Sequence, residues 1–176
     1  MTRVTTRDVL PFRWKYILLP VSVLFLSILL CAYFYHLLPG EVAYHFRADG
    51  SPDKWLSREM VVAWTLVPQL LFTLMAGCLA WGITRLGARF GKDRNTKVEP
   101  EKILLLIGNM VVLPQLILCF AMLDIFSYNS YQMHIMPVWL FALIVMVVGG
   151  IILGVLFVRI IRQVWRATGG TIQRKV

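Results

Sequence analysis

Uncharged and mostly apolar residues fall into four long runs along this chain, 16–40, 60–84, 103–123 and 135–158. Each is long enough for a helix that crosses the hydrocarbon core of a bilayer, which takes about 20 residues. The longest piece between them, 41–59, has 19 residues, too few to hold a soluble domain. The pattern therefore predicts an all-α integral membrane protein. It reads as one four-span domain over 1–176, with spans at about 16–38, 60–84, 103–126 and 135–158. Short connections make sequential helices antiparallel neighbours, so the expected architecture is an antiparallel four-helix bundle.

Local signals set the span limits. Pro39-Gly40 stops the first helix, and Ser57 is a candidate N-cap for the second. Pro100 with Glu99 and Glu101 suits the start of the third, and Pro137 falls in the first turn of the fourth. Pro68 and Pro114 sit inside spans two and three, each followed by glutamine, Gln69 and Gln115. A proline inside a span frees the carbonyl four residues earlier, here at Trp64 and Met110, and kinks the helix. The two glutamines are then candidates for bonding between helices, and the two prolines for hinges. In span four Gly150 and Gly154 form a GxxxG pattern, a candidate helix-packing face within the chain or in a dimer.

Charge adds the orientation. Only 15% of residues are charged and mean hydropathy is +0.71, but the net charge is +9. The basic residues gather before span one, between spans two and three, and after span four. The alternate connections hold only Arg47, Lys54 and Arg58. The positive-inside rule then places both termini and the 85–102 loop in the cytoplasm. This placement accounts for the charge without a nucleic-acid partner; the bilayer is the expected one. Trp14, Trp81 and Trp165 lie near one set of span ends and Trp55, Trp64 and Trp139 near the other, as interfacial indoles do. Arg159, Arg162 and Arg166 share a helical face beyond span four, where anchoring by snorkelled stems is the expected role.

Candidate chemistry is sparse. Cys31, Cys78 and Cys119 fall in three different spans, without paired metal or redox spacing. No ionisable residue occupies the centre of a span, unlike proton relays and ion-coupled transporters, which place such groups within the membrane. No nucleophile–base pair is apparent, so no enzymatic activity, cofactor or metal is expected. Glu41, His45, Asp49 and Asp53 recur every fourth residue, but Gly50 and Pro52 rule out one continuous helix and remove the force of that spacing. Asp49 reads as a turn former and Asp53 as an Asx-type or first-turn acceptor.

The loop 38–58 is the most informative stretch. Leu38-Pro39, then His45-Phe46, a turn at Gly50, then Asp53, Trp55 and Arg58, all between two spans and followed by Pro68, form a distinctive order. This order resembles the bacterial membrane family known as domain of unknown function 1648, found at the N-terminus of SdpI-like immunity and signalling proteins. Arg58 stands where that family usually has Lys, and Gly40-Glu41-Val42-Ala43 replaces the commoner apolar-Pro step before the His. The resemblance implies a multi-pass protein of the bacterial plasma (inner) membrane without enzymatic activity. In SdpI-like proteins it implies protection against a secreted toxin peptide and capture of a repressor at the membrane. The expected function is accordingly sensing, binding or immunity at the outer face, with signalling to the cytoplasm. Expected partners are a peptide outside or a protein in the membrane or cytoplasm. The alternative is a structural accessory subunit of a larger membrane complex or transporter.

Overall fold

The computed structural model describes residues 14–47, 49–90 and 100–172. The basic stretches 1–13 and 91–99, on which much of the expected orientation rests, lie outside the described residues, as do Ala48 and 173–176. A 3-10 turn at Trp14–Tyr16 leads into α1 (Leu18–Phe34), and two strands follow, β1 (Glu41–Phe46) and β2 (Pro52–Ser57). Four further helices are described, α2 (Arg58–Phe90), α3 (Pro100–Met110), α4 (Val112–Tyr131) and α5 (Val138–Ile172).

Three segments are long and apolar enough to cross a membrane, Arg58–Arg85, Leu105–Tyr131 and Val138–Arg159. α1 is equally apolar but has 17 residues, a length of about 25 Å at 1.5 Å per residue. Its helical path is lengthened at both ends, where Ile17 N–H bonds Trp14 O and Leu38 N–H bonds Phe34 O. The exposed surface of the helices is dominated by Leu, Val, Ile, Met and Trp, which water would not tolerate over such lengths. The chain is a membrane protein.

Three features depart from the expected architecture. The third span is interrupted at Val111, between α3 and α4, and α4 runs on to Tyr131 rather than stopping near 126. Pro114 explains the break, since it has no N–H for the Met110 carbonyl and its ring crowds that oxygen. Pro68, by contrast, sits inside an unbroken α2. The loop after α1 is not irregular but a β-hairpin, so the chain is helical with one two-stranded sheet. Finally, α1, α2 and α4 pack together, whereas α5 rests on α3 and α4 and is exposed over nearly its whole span.

Two apolar clusters hold the helices. One, at the hairpin end, joins Phe34 and Leu38 to Val42, Val61, Met122 and Phe126. The other, at the opposite end, joins Tyr16 and Ile17 to Ala76, Ala80 and Val111. The close approach on α5 falls on Gly149, where an added Cβ would meet the Leu113 side chain. Gly150 and Gly154 have no atom within 4 Å of such a Cβ. Among the described residues the GxxxG pair thus meets no neighbouring helix, and the expected packing face there lies open. A helix turns about 100° per residue, so a shift of one position moves the contact off that face.

Candidate functional site

The hairpin is built by its turn. Gly50 has φ +84, a conformation open to glycine, and Gly50 N–H bonds Arg47 O while Arg47 N–H bonds Ser51 O. Asp49 Oδ1 accepts from both Ser51 N–H (3.0 Å) and Ser51 Oγ–H (2.7 Å), the turn-forming role expected of it. Those bonds, the backbone one first, hold the Asp49 carboxyl below the usual carboxylate range. Pro52 opens β2, a position that needs no ladder donor. Pairing is antiparallel from Glu41 opposite Ser57 to Phe46 opposite Pro52, with an irregularity around Tyr44. Arg58 N–H to Gly40 O, 3.0 Å, closes the base at the start of α2.

Three contacts fix this hairpin on the helices. Val42 and Ala43 are fully buried beside Leu38, so the strand is rooted in the apolar cluster. The Asn129 amide on α4 then acts like a strand residue towards Ala43. It accepts Ala43 N–H at Oδ1 and donates from Nδ2 to Ala43 O, both at 2.8 Å. The Phe46 ring meets Tyr128 edge-on at 4.7 Å and His134 at 4.6 Å, and Tyr128 and His134 stack on each other. Edge-to-face and offset-stacked rings of this kind add about 0.5–1.5 kcal/mol beyond their buried area.

The expected motif residues divide accordingly. Leu38, Phe46 and Gly50 hold the hairpin's shape, and Pro39 follows the last turn of α1. His45 and Asp53 come together across the strands, with Nδ1 and Oδ1 2.6 Å apart. Asp53 is therefore the partner of His45 rather than an Asx-type or first-turn acceptor: the register shifts on both sides of His45, whose backbone lies opposite Lys54, and the neighbouring Asp53 side chain reaches its ring. The His45 hydrogen bond is the main cause of a lowered Asp53 pKa, aided by the nearby positive charges. Trp55 remains half exposed. Arg58 lies over the Tyr35 ring at 4.3 Å and donates to Tyr35 O at 3.4 Å. Its Nε is buried without a partner among the described residues.

The Pro-Gln pairs meet deeper in the protein. Gln115 Nε2 donates to Thr73 Oγ1 (2.8 Å), Gln69 O (3.1 Å) and, at the limit, Pro20 O (3.5 Å). Ser27 Oγ lies 2.6 Å from Gln69 Oε1, which joins α1 to α2. Turning the Gln115 amide over would set its oxygen against two carbonyls, so the orientation is fixed by chemistry. Its Oε1 is buried without a donor. Gln69 and Gln115 thus tie α1, α2 and α4 together between the two apolar clusters.

Sequence reasoning did not find Asn129, Tyr128, His134 or Asp124 as site residues. Asp124 is almost fully buried yet bonds His134 Nδ1 and Ile135 N–H. A lone acidic residue at the end of an apolar run was the available signal. Among the described residues, no group of three or more His, Cys, Asp or Glu comes together to hold a metal ion. The arrangement offers a rigid polar and aromatic surface above the membrane, mechanically joined to α4 and the α4–α5 connection.

No curated protein and no solved structure shows a significant match to the chain. Residues 23–68, from within α1 through the whole hairpin to Pro68 in α2, match the family model described as a domain of unknown function, DUF1648.

Proposed function

We propose that the chain is a non-enzymatic bacterial inner-membrane protein of SdpI-like type. It has four spans in an antiparallel bundle with both termini cytoplasmic. The hairpin surface binds or senses a ligand at the outer face, either as immunity or as the input to a cytoplasmic signal. A secreted peptide is the ligand class that the family resemblance implies. The supporting observation is the double hydrogen bond from Asn129 to Ala43, which couples the hairpin directly to α4. Any ligand that favours one hairpin position would bias α4, and with it the break beside Pro114. A ligand shifts such an equilibrium only by its differential affinity for the two packings.

The test compares a deletion strain with strains carrying His45→Ala or Asn129→Leu, each challenged with peptides secreted by sister cells in stationary phase. The expected result is that the deletion is sensitised and His45→Ala accumulates normally in the membrane but does not protect. A deletion strain that survives like its parent removes the immunity reading. Loss of the His45→Ala protein from the membrane makes the loop structural.

The outward, unfilled position of Gly150 and Gly154 on α5 favours a second reading, the accessory subunit of a larger membrane complex. Purification from native membranes in mild detergent, with a stoichiometric membrane partner recovered, would establish it. Recovery of the chain alone would dismiss it.

A further inference from the structure

Beneath the hairpin, Tyr44, Leu56, Val61, Trp64, Thr65 and Ile125 line a partly open pocket of about 170 Å³. None of these six residues is charged, and the hydroxyl of Thr65 is already spent on Val61 O and Val62 O of its own helix. The lining is therefore almost wholly apolar, with the Tyr44 hydroxyl and the Trp64 indole N–H as its remaining polar groups. Apolar cavities of about 150 Å³ stay dry and take up hydrocarbon instead.

The position of the mouth decides what enters. Trp64 is 72% exposed, and Val67, Leu71 and Leu74 continue below it on α2 at helical spacing, all of them exposed. This apolar stripe runs from the pocket along a segment that is long and apolar enough to span the bilayer. An occupant that follows the stripe arrives from the hydrocarbon, not from the water above the hairpin. Trp64 and Tyr44 at the rim are the residue types that sit at headgroup level.

We propose that this pocket is a lipid site, holding one acyl chain of an outer-leaflet phospholipid between the hairpin and the outer turns of α2 and α4. The seated chain fills the space under Tyr44 and Leu56 and so supports the hairpin from below. The inference rests on the membrane placement of the chain and, for the leaflet, on the orientation proposed above, and it stands or falls apart from the peptide-binding reading.

The full chain, purified in mild detergent and stripped of lipid, is titrated with dioleoyl phosphatidylglycerol and examined by native mass spectrometry. One tightly retained lipid is expected. Thr65→Phe and Ile125→Trp, which fill the pocket from two different helices, should each weaken retention by about tenfold or more. Leu74→Phe, lower on the same stripe, should retain lipid as the parent does. Replacing the headgroup by phosphatidylethanolamine should change retention little, and shortening the tails should abolish it. Equal retention by both filled variants overturns the site, as does dependence on headgroup alone. So does recovery of a peptide, or of a second copy of the chain, in place of the lipid.

Discussion

Asp124 Oδ2 lies 3.0 Å from His134 Nδ1, while Oδ1 of the same carboxyl group accepts Ile135 N–H at 2.8 Å. One buried side chain on α4 thereby holds the connection to α5, and the imidazole it positions is the one against which Phe46 packs. The hairpin and the second outer connection are consequently parts of one assembly. Gln132, in the left-handed conformation with φ 56, turns the chain back over Asp124 so that this can happen.

Asp124→Leu removes both bonds and strands the Ile135 N–H, so a loss of about 1–3 kcal/mol is expected. Asp124→Asn keeps an acceptor for Ile135 and should cost less. Thermal unfolding in detergent gives the order, and amide exchange at 132–136 should quicken most in Asp124→Leu. A leucine variant as stable as the parent would show that the carboxyl group does not anchor the connection.

Glycines at two positions should respond in opposite ways. A Cβ at Gly108 would run into the backbone oxygen of Tyr16, and backbone cannot swing aside as a side chain does. Gly108→Ala should therefore push α3 from the turn before α1, at a cost of about 1–3 kcal/mol. Gly150→Ala meets nothing and gains helix propensity, up to about 1 kcal/mol. Unfolding midpoints of the two variants should fall on either side of the parent. Equal midpoints would refute the close approach at Gly108.

How much of this was legible beforehand follows from the range of each interaction. The apolar runs are a local property that can be read along the chain; the missing N–H at a proline is local too, but it breaks the helix before Pro114 and leaves α2 whole at Pro68. The hairpin is not local. Its strands are six residues each, one opens with proline, and its anchor, Asn129, is 86 positions from Ala43. The same holds for Asp53, whose role depends on which residue lies across the ladder. The outboard position of α5 escaped for another reason. Lipid and protein neighbours are both apolar, so a spanning helix carries little sequence record of which of them it faces.

The polar layer should be worth modest but measurable stability. Gln115→Leu removes the two amide N–H donors shared among Thr73, Gln69 and Pro20, but it also removes a buried Oε1 that has no donor. Polar contacts between spanning helices are worth about 0.6 kcal/mol on average and up to about 1.7 kcal/mol. A loss within that range is expected from unfolding in mixed micelles. Gln115→Glu should cost more, since the replacement sets an acidic group against the Gln69 and Pro20 carbonyl oxygens. A glutamate variant as stable as the leucine one would show that this layer admits water.

Acid should loosen the hairpin through Asp53. Its carboxyl titrates below the ordinary value of about 3.9 because His45 hydrogen-bonds the ionised form. A depressed carboxyl pKa contributes stability that is fully present above the unfolded value and is lost as pH falls through the folded one. The hairpin should thus keep its cross-strand bond at neutral and mildly acidic pH and lose it only as pH falls from the ordinary carboxylate value through the lower folded one. Carboxyl titration by NMR in detergent should show Asp53 returning to the ordinary range in His45→Ala. Amide exchange over 41–57 should quicken as pH falls below the ordinary carboxylate value, allowing for the intrinsic rates, in the parent but not in Asp53→Asn. An Asp53 titration unmoved by His45→Ala would mean that the neighbouring charges of Arg47 and Lys54, and not the histidine, hold the carboxyl down.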